Sequence, residues 1–548
     1  MQQLGIYFLG LAWLIPNISN PWISFWMETV AVTGLIFMSI ATIKHANISI
    51  DRRAIFLFLF FIAIQIFNFL LRPNTYYGDY FLGILYIFCF FAAITIGQNN
   101  PEYFEKIFLI FLMAALISLG VALAQWLHLD FDRMYLREIP PNSRPFANTG
   151  QPNHLGTLMV WGLIAALAIR AQAKISVATT LLLLTTLSFG AALTQSRTAL
   201  IQIIGCSVLM IFFRRRNILP ISSIWAVIAI GMIFTFTLLL PDISTWLGTA
   251  VERSVSETGI KTNRTQHWLS MLDAIAVHPW IGWGWQGAAQ AQLQGTQFAI
   301  KESIYQYTHN IALDIIIWFG LPAGIIFLLL LSHKYFITFK KIQNPAQAFG
   351  FLAFFAFTIH CLLEYPFSYM HLLIPAGIFF GLASNKPTGE GNKVSNILIK
   401  PIILISSCLM IFIVFEYKKI EEYTMQLRFS YANIGQIKLP DSPSVVLLTQ
   451  AHSLAKKTNL RPKENINADE ANEYFQAAMR YGTLRLLLHA ALAAGFQENS
   501  LKSKEFLMNI CKIHSPSGCL YAQSMWNEWK ESYPFSIGKI DFPVTPEP

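Results

Sequence analysis

Residues 107–127 read IFLIFLMAALISLGVALAQWL, a run without a charged side chain. As a helix, this run spans about 30 Å, the thickness of the hydrocarbon core of a membrane. Similar runs recur along the 548 residues, of which 54% are hydrophobic and 13% are charged. A soluble protein carries about 25% charged residues, so the composition excludes a cytosolic enzyme, a disordered chain and a secreted disulfide scaffold. The sequence therefore predicts an all-α polytopic membrane protein.

Thirteen apolar stretches are candidates for membrane-spanning helices. They lie near residues 3–17, 22–43, 54–71, 80–97, 107–127, 154–170, 175–193, 198–213, 219–240, 309–331, 346–363, 372–384 and 401–416. The first stretch has no preceding basic region and no cleavage site after it, so we interpret it as a retained helix.

The 39 basic residues indicate how these spans are oriented. With a cytoplasmic N-terminus, fifteen of them fall in short inner loops, nine in outer segments and fifteen after residue 416. Because Lys and Arg collect on the cytoplasmic side, this orientation is self-consistent, and the net charge of +9 reflects topology rather than nucleic-acid binding. We predict two domains: a membrane core, 1–416, that includes a long outer loop, 241–308, and a C-terminal helical domain, 417–548, on the outer side.

The C-terminal domain is predicted from its higher charge and from two amphipathic stretches, 468–480 and 482–494. Cys511 and Cys519 lie close together in this polar region, and a disulfide between them requires that the region face an oxidising compartment.

Two arginines are candidate phosphate ligands, because basic residues on the outer side run against the positive-inside bias. Arg197 precedes the eighth span and is expected at headgroup depth. Arg264 follows a typical helix start, Thr262–Asn263, and the apolar spacing after it predicts an amphipathic helix on the outer membrane face. The arginine fork pairs two oxygens and stays charged. The alternatives are that Arg197 anchors a helix end and that Arg264 is an ordinary solvated side chain.

His309 is the candidate proton acceptor. It lies in Tyr307–Thr308–His309–Asn310, where the longest outer loop meets the tenth span. There an imidazole could take the proton of an attacking hydroxyl near neutral pH.

Other patterns carry less information. Asp130 and Asp132 have the spacing of an acidic metal–diphosphate pair, and His360 and Glu364 share one helical face. The sequence Gly282–Trp283–Gly284–Trp285 is no phosphate loop, and its aromatic residues suggest interfacial anchoring or sugar stacking.

Several of these motifs together resemble one known family, the PglL-type bacterial O-oligosaccharyltransferases, which belong to the superfamily of O-antigen ligases and polymerases. The motifs follow in the family's order over most of residues 140–385. They are RPFANTGQPNHL at 144–155, Thr194–Thr198, Asn263–Arg264 followed by His278–Pro279 and Gly282–Gly284, Thr308–Asn310, and His360 with Leu363–Pro366.

The resemblance implies en bloc transfer of an oligosaccharide from undecaprenyl diphosphate to Ser or Thr of a pilin or another periplasmic protein. It implies a bacterial inner membrane, a periplasmic active site and C-terminal domain, and neither metal nor other cofactor. It identifies His309 as catalytic and Arg197 and Arg264 as ligands of the lipid diphosphate. As supporting residues we take His154, Gln151, Asn310, His360 and Glu364, and in the oxidising periplasm we expect a Cys511–Cys519 disulfide.

The implied chemistry is reasonable on physical grounds, because the diphosphate leaves as an anion that positive charge stabilises. A single displacement assisted by His309 inverts the anomeric carbon. One alternative is an O-antigen ligase that acts on lipid A-core, but the pattern Gly150–His154 and the long outer tail favour a protein acceptor. The other alternative is a transporter, which usually carries ionisable residues at mid-membrane and repeated halves. This sequence favours it less, because its ionisable residues crowd the outer surface and no repeat is apparent.

Overall fold

The protein is almost entirely helical. A computed structural model describes residues 1–16, 20–43, 47–72, 75–129, 136–140, 143–249, 263–296, 304–384, 392–435 and 439–543. The helices are α1 Gln2–Leu11, α2 Phe25–Thr42, α3 Arg52–Leu70, α4 Tyr77–Asn99, α5 Phe104–Trp126, α6 Pro152–Ala171, α7 Val177–Leu193, α8 Arg197–Arg215, α9 Ile224–Trp246, α10 Asn263–Val277, α11 Ala288–Gln290, α12 Ile311–Lys340, α13 Pro345–Leu363, α14 Met370–Ala383, α15 Asn396–Tyr431, α16 Thr449–Asn459, α17 Ala468–Tyr481, α18 Leu484–Phe496, α19 Ser500–Ile513 and α20 Pro516–Ser532.

The remaining regular elements are short. Pro101–Tyr103 and Pro366–Ser368 are 3₁₀ turns, and Ala291–Gly295 is a π-helical turn. Strands β1 (Asn47–Ile50) and β2 (Asn392–Ser395) form an antiparallel pair, the one sheet in the described part of the chain.

Each of the thirteen predicted spans has a helix in its range, and the all-α membrane class is confirmed. Within the described residues, ten helices are long and apolar enough to cross a membrane: α2, α3, α4, α5, α6, α8, α9, α12, α13 and α15. The helices α7 and α14 are shorter, and α1 has ten residues, about 15 Å of helix. The first predicted span, near 3–17, is thus only partly helical, because α1 ends at Leu11 and a turn leads to Pro16.

The chain divides into two compact units, each composed of three segments. The first unit is Met1–Leu59, Leu85–Ile260 and Leu330–Ile411, and the second is Phe60–Ile84, Lys261–Leu329 and Phe412–Pro548. The C-terminal helices therefore share one unit with the end of the long outer loop and with the candidate catalytic histidine that follows it.

In the first unit, small residues let helices pack closely. A Cβ atom added at Gly97 of α4 would lie 2.3 Å from the carbonyl oxygen of Ile378, and one at Gly381 of α14 would lie 2.3 Å from that of Ile94. Such close approach is typical of helix packing in membranes. The central helix α6 is buried from Asn153 to Ile169, and it carries several of the candidate residues.

In the second unit, α12 is interrupted at Gly320, where φ is +77°. The interruption removes helical donors from nearby carbonyl groups. The carbonyl oxygens of Ile317 and Trp318 instead accept hydrogen bonds from the N–H groups of Trp283 and Gly284, at 2.6 and 3.0 Å. The outer loop thus completes the hydrogen bonding of a broken helix.

The Gly282–Trp283–Gly284–Trp285 motif serves this packing. The Trp283 side chain is 3% exposed, and its indole N–H donates to the carbonyl of Ala274 at 2.8 Å. The Trp285 ring packs against Phe61, with ring centroids 5.6 Å apart. The prediction of interfacial anchoring is wrong for Trp283, because the loop folds inward onto α12.

The C-terminal helices α16–α20 surround a buried apolar core that includes Leu486, Phe506 and Trp526. Both predicted stretches are helices, and α17 is amphipathic as predicted, with Gly482 at φ +60° as its end. The amphipathic prediction is wrong for α18, because every residue from Leu486 to Phe496 is buried. The side chains of Asn467, Thr483, Asn499 and Ser515 cap α17, α18, α19 and α20. Cys511 and Cys519 form a disulfide.

Candidate active site

The turn that holds His309 is fixed by the start of α12. Asn310 caps this helix, because its side-chain oxygen accepts hydrogen bonds from the N–H groups of Ala312 and Leu313, at 3.0 and 3.3 Å. The backbone that leaves His309 is therefore held by the helix itself.

The backbone that enters the turn is held from two other directions. The N–H of Thr308 donates to the buried carboxylate of Asp314 at 2.7 Å, and the carbonyl of Thr308 accepts from the Trp268 indole at 2.8 Å. His309 itself has φ +59°, a conformation that costs an ordinary residue about 1 kcal/mol or more. Such strain persists only where the surroundings impose it, and it is concentrated at functional sites.

A second histidine lies near the first. The Tyr305 ring has its centroid 5.3 Å from that of His309 and 4.6 Å from that of His267. His267 is 3% exposed, and burial, reinforced by the nearby His309, lowers its pKa to about 4. His267 is therefore neutral at pH 7, and His309 is the more exposed of the two histidines. The sequence analysis missed His267, although it lies three residues after Arg264 on one helical face.

Arg264 lies in the first turn of α10 and is partly exposed. The predicted helix is present. Its residues Met271 and Ala274 are buried, whereas Leu269 and Leu272 are exposed by 60% and 52%. One face of α10 thus packs on the protein, and the other presents apolar side chains outward.

In the first unit, a chain of hydrogen bonds joins three helix ends. The Ser196 hydroxyl caps α8 by accepting from the N–H of Ala199 at 3.2 Å, and it donates to the side-chain oxygen of Asn153 at 2.7 Å. The Asn153 amide in turn donates to the buried Glu364 carboxylate at 2.7 Å. Arg197 is the exposed first residue of α8, immediately beside this network.

Gln151 and the loop before it also contribute to these helix starts. Gln151 is the N-cap residue of α6, and its carbonyl accepts from the N–H of His154 at 3.1 Å. The Arg144 guanidinium donates to the carbonyls of Thr194 and Gln195, at 3.3 and 3.1 Å. The loops that precede α6 and α8 are therefore tied together.

Three histidines and a tyrosine cluster inside the first unit. The His154 ring centroid lies 5.6 Å from that of His360, 5.8 Å from that of His371 and 4.6 Å from that of Tyr369. Nδ1 of His360 forms a 2.8 Å hydrogen bond with the Thr157 hydroxyl. The sequence analysis missed His371, although a histidine within an apolar span is rare enough to attract notice.

The predicted site residues fall into two groups. The first unit holds Gln151, His154, Arg197, His360 and Glu364, and the second holds Arg264, His309, Asn310, Cys511 and Cys519. Asp130 and Asp132 lie outside the described residues. Among the described residues, no group of three or more His, Cys, Asp or Glu side chains could hold a metal ion.

Comparison with known families gives this geometry a context. Residues 180–328 match a family model described as O-antigen ligase. These residues form a domain similar to that family. This domain begins within α7 and ends within α12, so it contains Arg197, Arg264 and His309, whereas His154, His360 and Glu364 lie outside it.

Two similar proteins come from Acinetobacter baylyi (strain ATCC 33305 / BD413 / ADP1). A ComP-specific O-oligosaccharyltransferase is 28% identical over 412 residues, which cover 74% of each chain. A general O-oligosaccharyltransferase is 26% identical over 487 residues, which cover 85% of this chain and 84% of that protein. The resemblance to bacterial O-oligosaccharyltransferases is confirmed, and it extends well beyond the O-antigen ligase domain.

Proposed function

We propose that the protein transfers an oligosaccharide en bloc from undecaprenyl diphosphate to a Ser or Thr of a pilin or another periplasmic protein. The observation that carries the proposal is the turn at His309, where a partly exposed histidine is held in a strained conformation inside the O-antigen ligase domain. The similarity to two O-oligosaccharyltransferases favours a protein acceptor over lipid A-core.

The proposed reaction is a single displacement. The acceptor oxygen bonds to the anomeric carbon as the bond from that carbon to the diphosphate oxygen breaks, with inversion. His309 accepts the proton of the hydroxyl, and undecaprenyl diphosphate leaves with the electron pair.

In this proposal the charge that develops on the diphosphate is stabilised without metal. Arg264 lies in the first turn of α10 and Arg197 in the first turn of α8, where the backbone N–H groups and the helix dipole also favour an anion. Either arginine can pair two phosphate oxygens. Asn310 supports His309 as the cap of α12, and Gln151, His154, His360 and Glu364 support the starts of α6 and α8.

We also propose the bacterial inner membrane as the location, with a cytoplasmic N-terminus. The membrane core, 1–416, then presents its loop 241–308 to the periplasm together with the C-terminal domain, 417–548. The disulfide supports this orientation, because disulfides persist in an oxidising compartment.

The test is the intact mass of a co-expressed pilin. The host makes a lipid-linked glycan but lacks its own transferase and O-antigen ligase, and wild type is compared with His309→Ala. We expect a glycan-sized mass gain that the variant loses. His333→Ala is the matched control, because His333 is exposed near the other end of α12, and it should keep the gain. Glycan on lipid A-core and none on pilin would instead identify a ligase.

A further inference from the structure

The segment that leads into His309 is bound by the C-terminal helices of the same unit. Both ends of the Gln306 side-chain amide are paired at the end of α17. Its oxygen accepts from Nη1 of Arg480 at 2.8 Å, and its nitrogen donates to the carbonyl of Tyr481 at 2.8 Å. Gln306 lies three residues before His309, so these two hydrogen bonds act close to the strained turn.

Arg480 is itself rigidly held. Its Nε donates to Oδ2 of Asp79 at 2.6 Å, and its Nη2 donates to Oδ1 at 3.2 Å. The two side chains are only 16% and 9% exposed. Burial disfavours the charged guanidinium, but Asp79, with contributions from Tyr481 and Tyr307, raises the pKa of Arg480 above its ordinary value. The two-pronged pair with Asp79 leaves the third nitrogen of the guanidinium directed at Gln306.

The same segment is also fixed by packing against Gly482 and by hydrogen bonds from the Gln292 side chain. Gly482 ends α17, and a Cβ atom there would lie 2.7 Å from Cγ1 of Ile304, so the two chains are in close contact. The Gln292 side chain donates to the carbonyl of Tyr305 at 2.6 Å and accepts from its N–H at 3.1 Å. Leu293, the next residue, belongs to the apolar core of the C-terminal helices.

We propose that Arg480 is a positioning residue for the transfer reaction. It joins Asp79 to Gln306, so the C-terminal helices set the placement of the segment that presents His309. The inference rests on the proposed role of His309. It gives the C-terminal helices a part in the rate of transfer, because a displacement of about 1 Å in a reacting group can cost about 100-fold in rate.

The test measures kcat and both KM values in liposomes that contain the full-length protein, with a lipid-linked oligosaccharide and a purified acceptor pilin. For Arg480→Ala and for Gln306→Ala we expect kcat to fall about 10- to 100-fold, with the KM for the lipid donor unchanged. The double variant should be no slower than the slower single variant, because both changes break one connection. Arg480→Lys should be intermediate, because an ammonium group cannot hold the carboxylate with two nitrogens and also reach the amide.

Arg485→Ala is the matched control. Arg485 is an exposed arginine of the C-terminal helices, and its guanidinium lies over an aromatic ring, 4.9 Å from the centroid of Tyr431. Arg485→Ala should keep wild-type kcat. Thermal unfolding of every variant separates positioning from folding. Gln306→Ala leaves the Asp79–Arg480 pair intact, so it tests the proposal even if Arg480→Ala fails to fold.

Two outcomes separate this inference from the proposed function. If His309→Ala is inactive while folded Arg480→Ala and Gln306→Ala keep wild-type kcat, the positioning role is overturned and the function stands. If His309→Ala keeps full kcat, the catalytic role of His309 fails, and the positioning role fails with it; if the wild-type protein transfers no glycan to the pilin, the proposed function itself fails. A loss of kcat that follows the loss of thermal stability in every variant would also overturn the positioning role.

Discussion

The two units contain histidines in opposite settings. In the first unit, His154, His360 and His371 lie inside helices and are almost fully buried, in contact with one another and with aromatic rings. In the second unit, His309 lies in a strained turn and remains partly exposed. The contrast teaches that a histidine near the outer ends of the spans is not by itself a sign of chemistry. Partial exposure and an imposed backbone conformation distinguish His309, the candidate catalytic residue, from the three packed histidines.

The largest expected effect is on the rate of transfer, and it is tested with one arginine from each unit. We expect Arg197→Ala and Arg264→Ala each to lower transfer about 100-fold or more, because each removes a positive donor from the developing diphosphate charge. The measurement is the rate of pilin glycosylation at a fixed donor concentration. If the variant of one unit is fully active, the diphosphate role of that arginine is lost.

The next effect concerns pH and the second unit. The pKa of His267 is lowered to about 4 in the folded protein, against about 6.5 when unfolded, so below about pH 6.5 the unfolded chain binds more protons. Stability should therefore fall as the pH drops from about 6.5 to about 4, by up to about 3 kcal/mol from this group. Thermal unfolding across this range should show a weaker pH dependence for His267→Gln than for wild type. An unchanged dependence would show that His267 contributes nothing.

A third comparison uses the cysteines. Cys511 and Cys519 form a disulfide in the second unit, whereas Cys89, Cys206 and Cys361 of the first unit are buried thiols. Replacing both Cys511 and Cys519 by Ser should cost about 2 kcal/mol, because the unfolded chain loses a constraint. Thermal unfolding with and without reductant measures this loss. Cys408→Ser, at an exposed free thiol, is the control and should behave as wild type.

The smallest expected effect lies in the histidine cluster. Within the described residues, neither ring nitrogen of His371 has a hydrogen-bond partner, so His371→Phe removes no hydrogen bond that the structure shows and keeps an aromatic ring against Trp13. We expect the larger ring to lower stability by no more than about 2 kcal/mol and to leave transfer unchanged. A folded His371→Phe protein that has lost transfer would show that a buried histidine of the first unit is also needed for activity, and would contradict the contrast with His309.

Much of the fold could be predicted from the sequence, because a spanning helix requires a long apolar run and satisfies its own backbone. Each predicted span therefore contains a helix, although the first is only partly helical. The break at Gly320 could not be predicted in the same way, since it depends on Trp283 and Gly284, more than thirty residues earlier, as donors.

The candidate site likewise contains residues that the sequence reveals and residues that only the structure reveals. His309, Asn310 and Arg264 stand out by position and residue type. His267 and Arg480 do not, because what distinguishes them is burial and contacts with residues distant in sequence, such as Asp79. Local sequence patterns indicate where a helix begins, but they do not indicate which side chains distant in sequence will contact that helix.

The break in α12 has a consequence for protein engineering. Because two of the α12 carbonyls are paired by the loop that contains Trp283, this loop and α12 are not interchangeable parts. A chimera that takes the loop from one transferase and the following helix from another would leave polar backbone groups unpaired at the break. Residues 279–321 should therefore be transplanted as one block when acceptor or glycan range is redesigned.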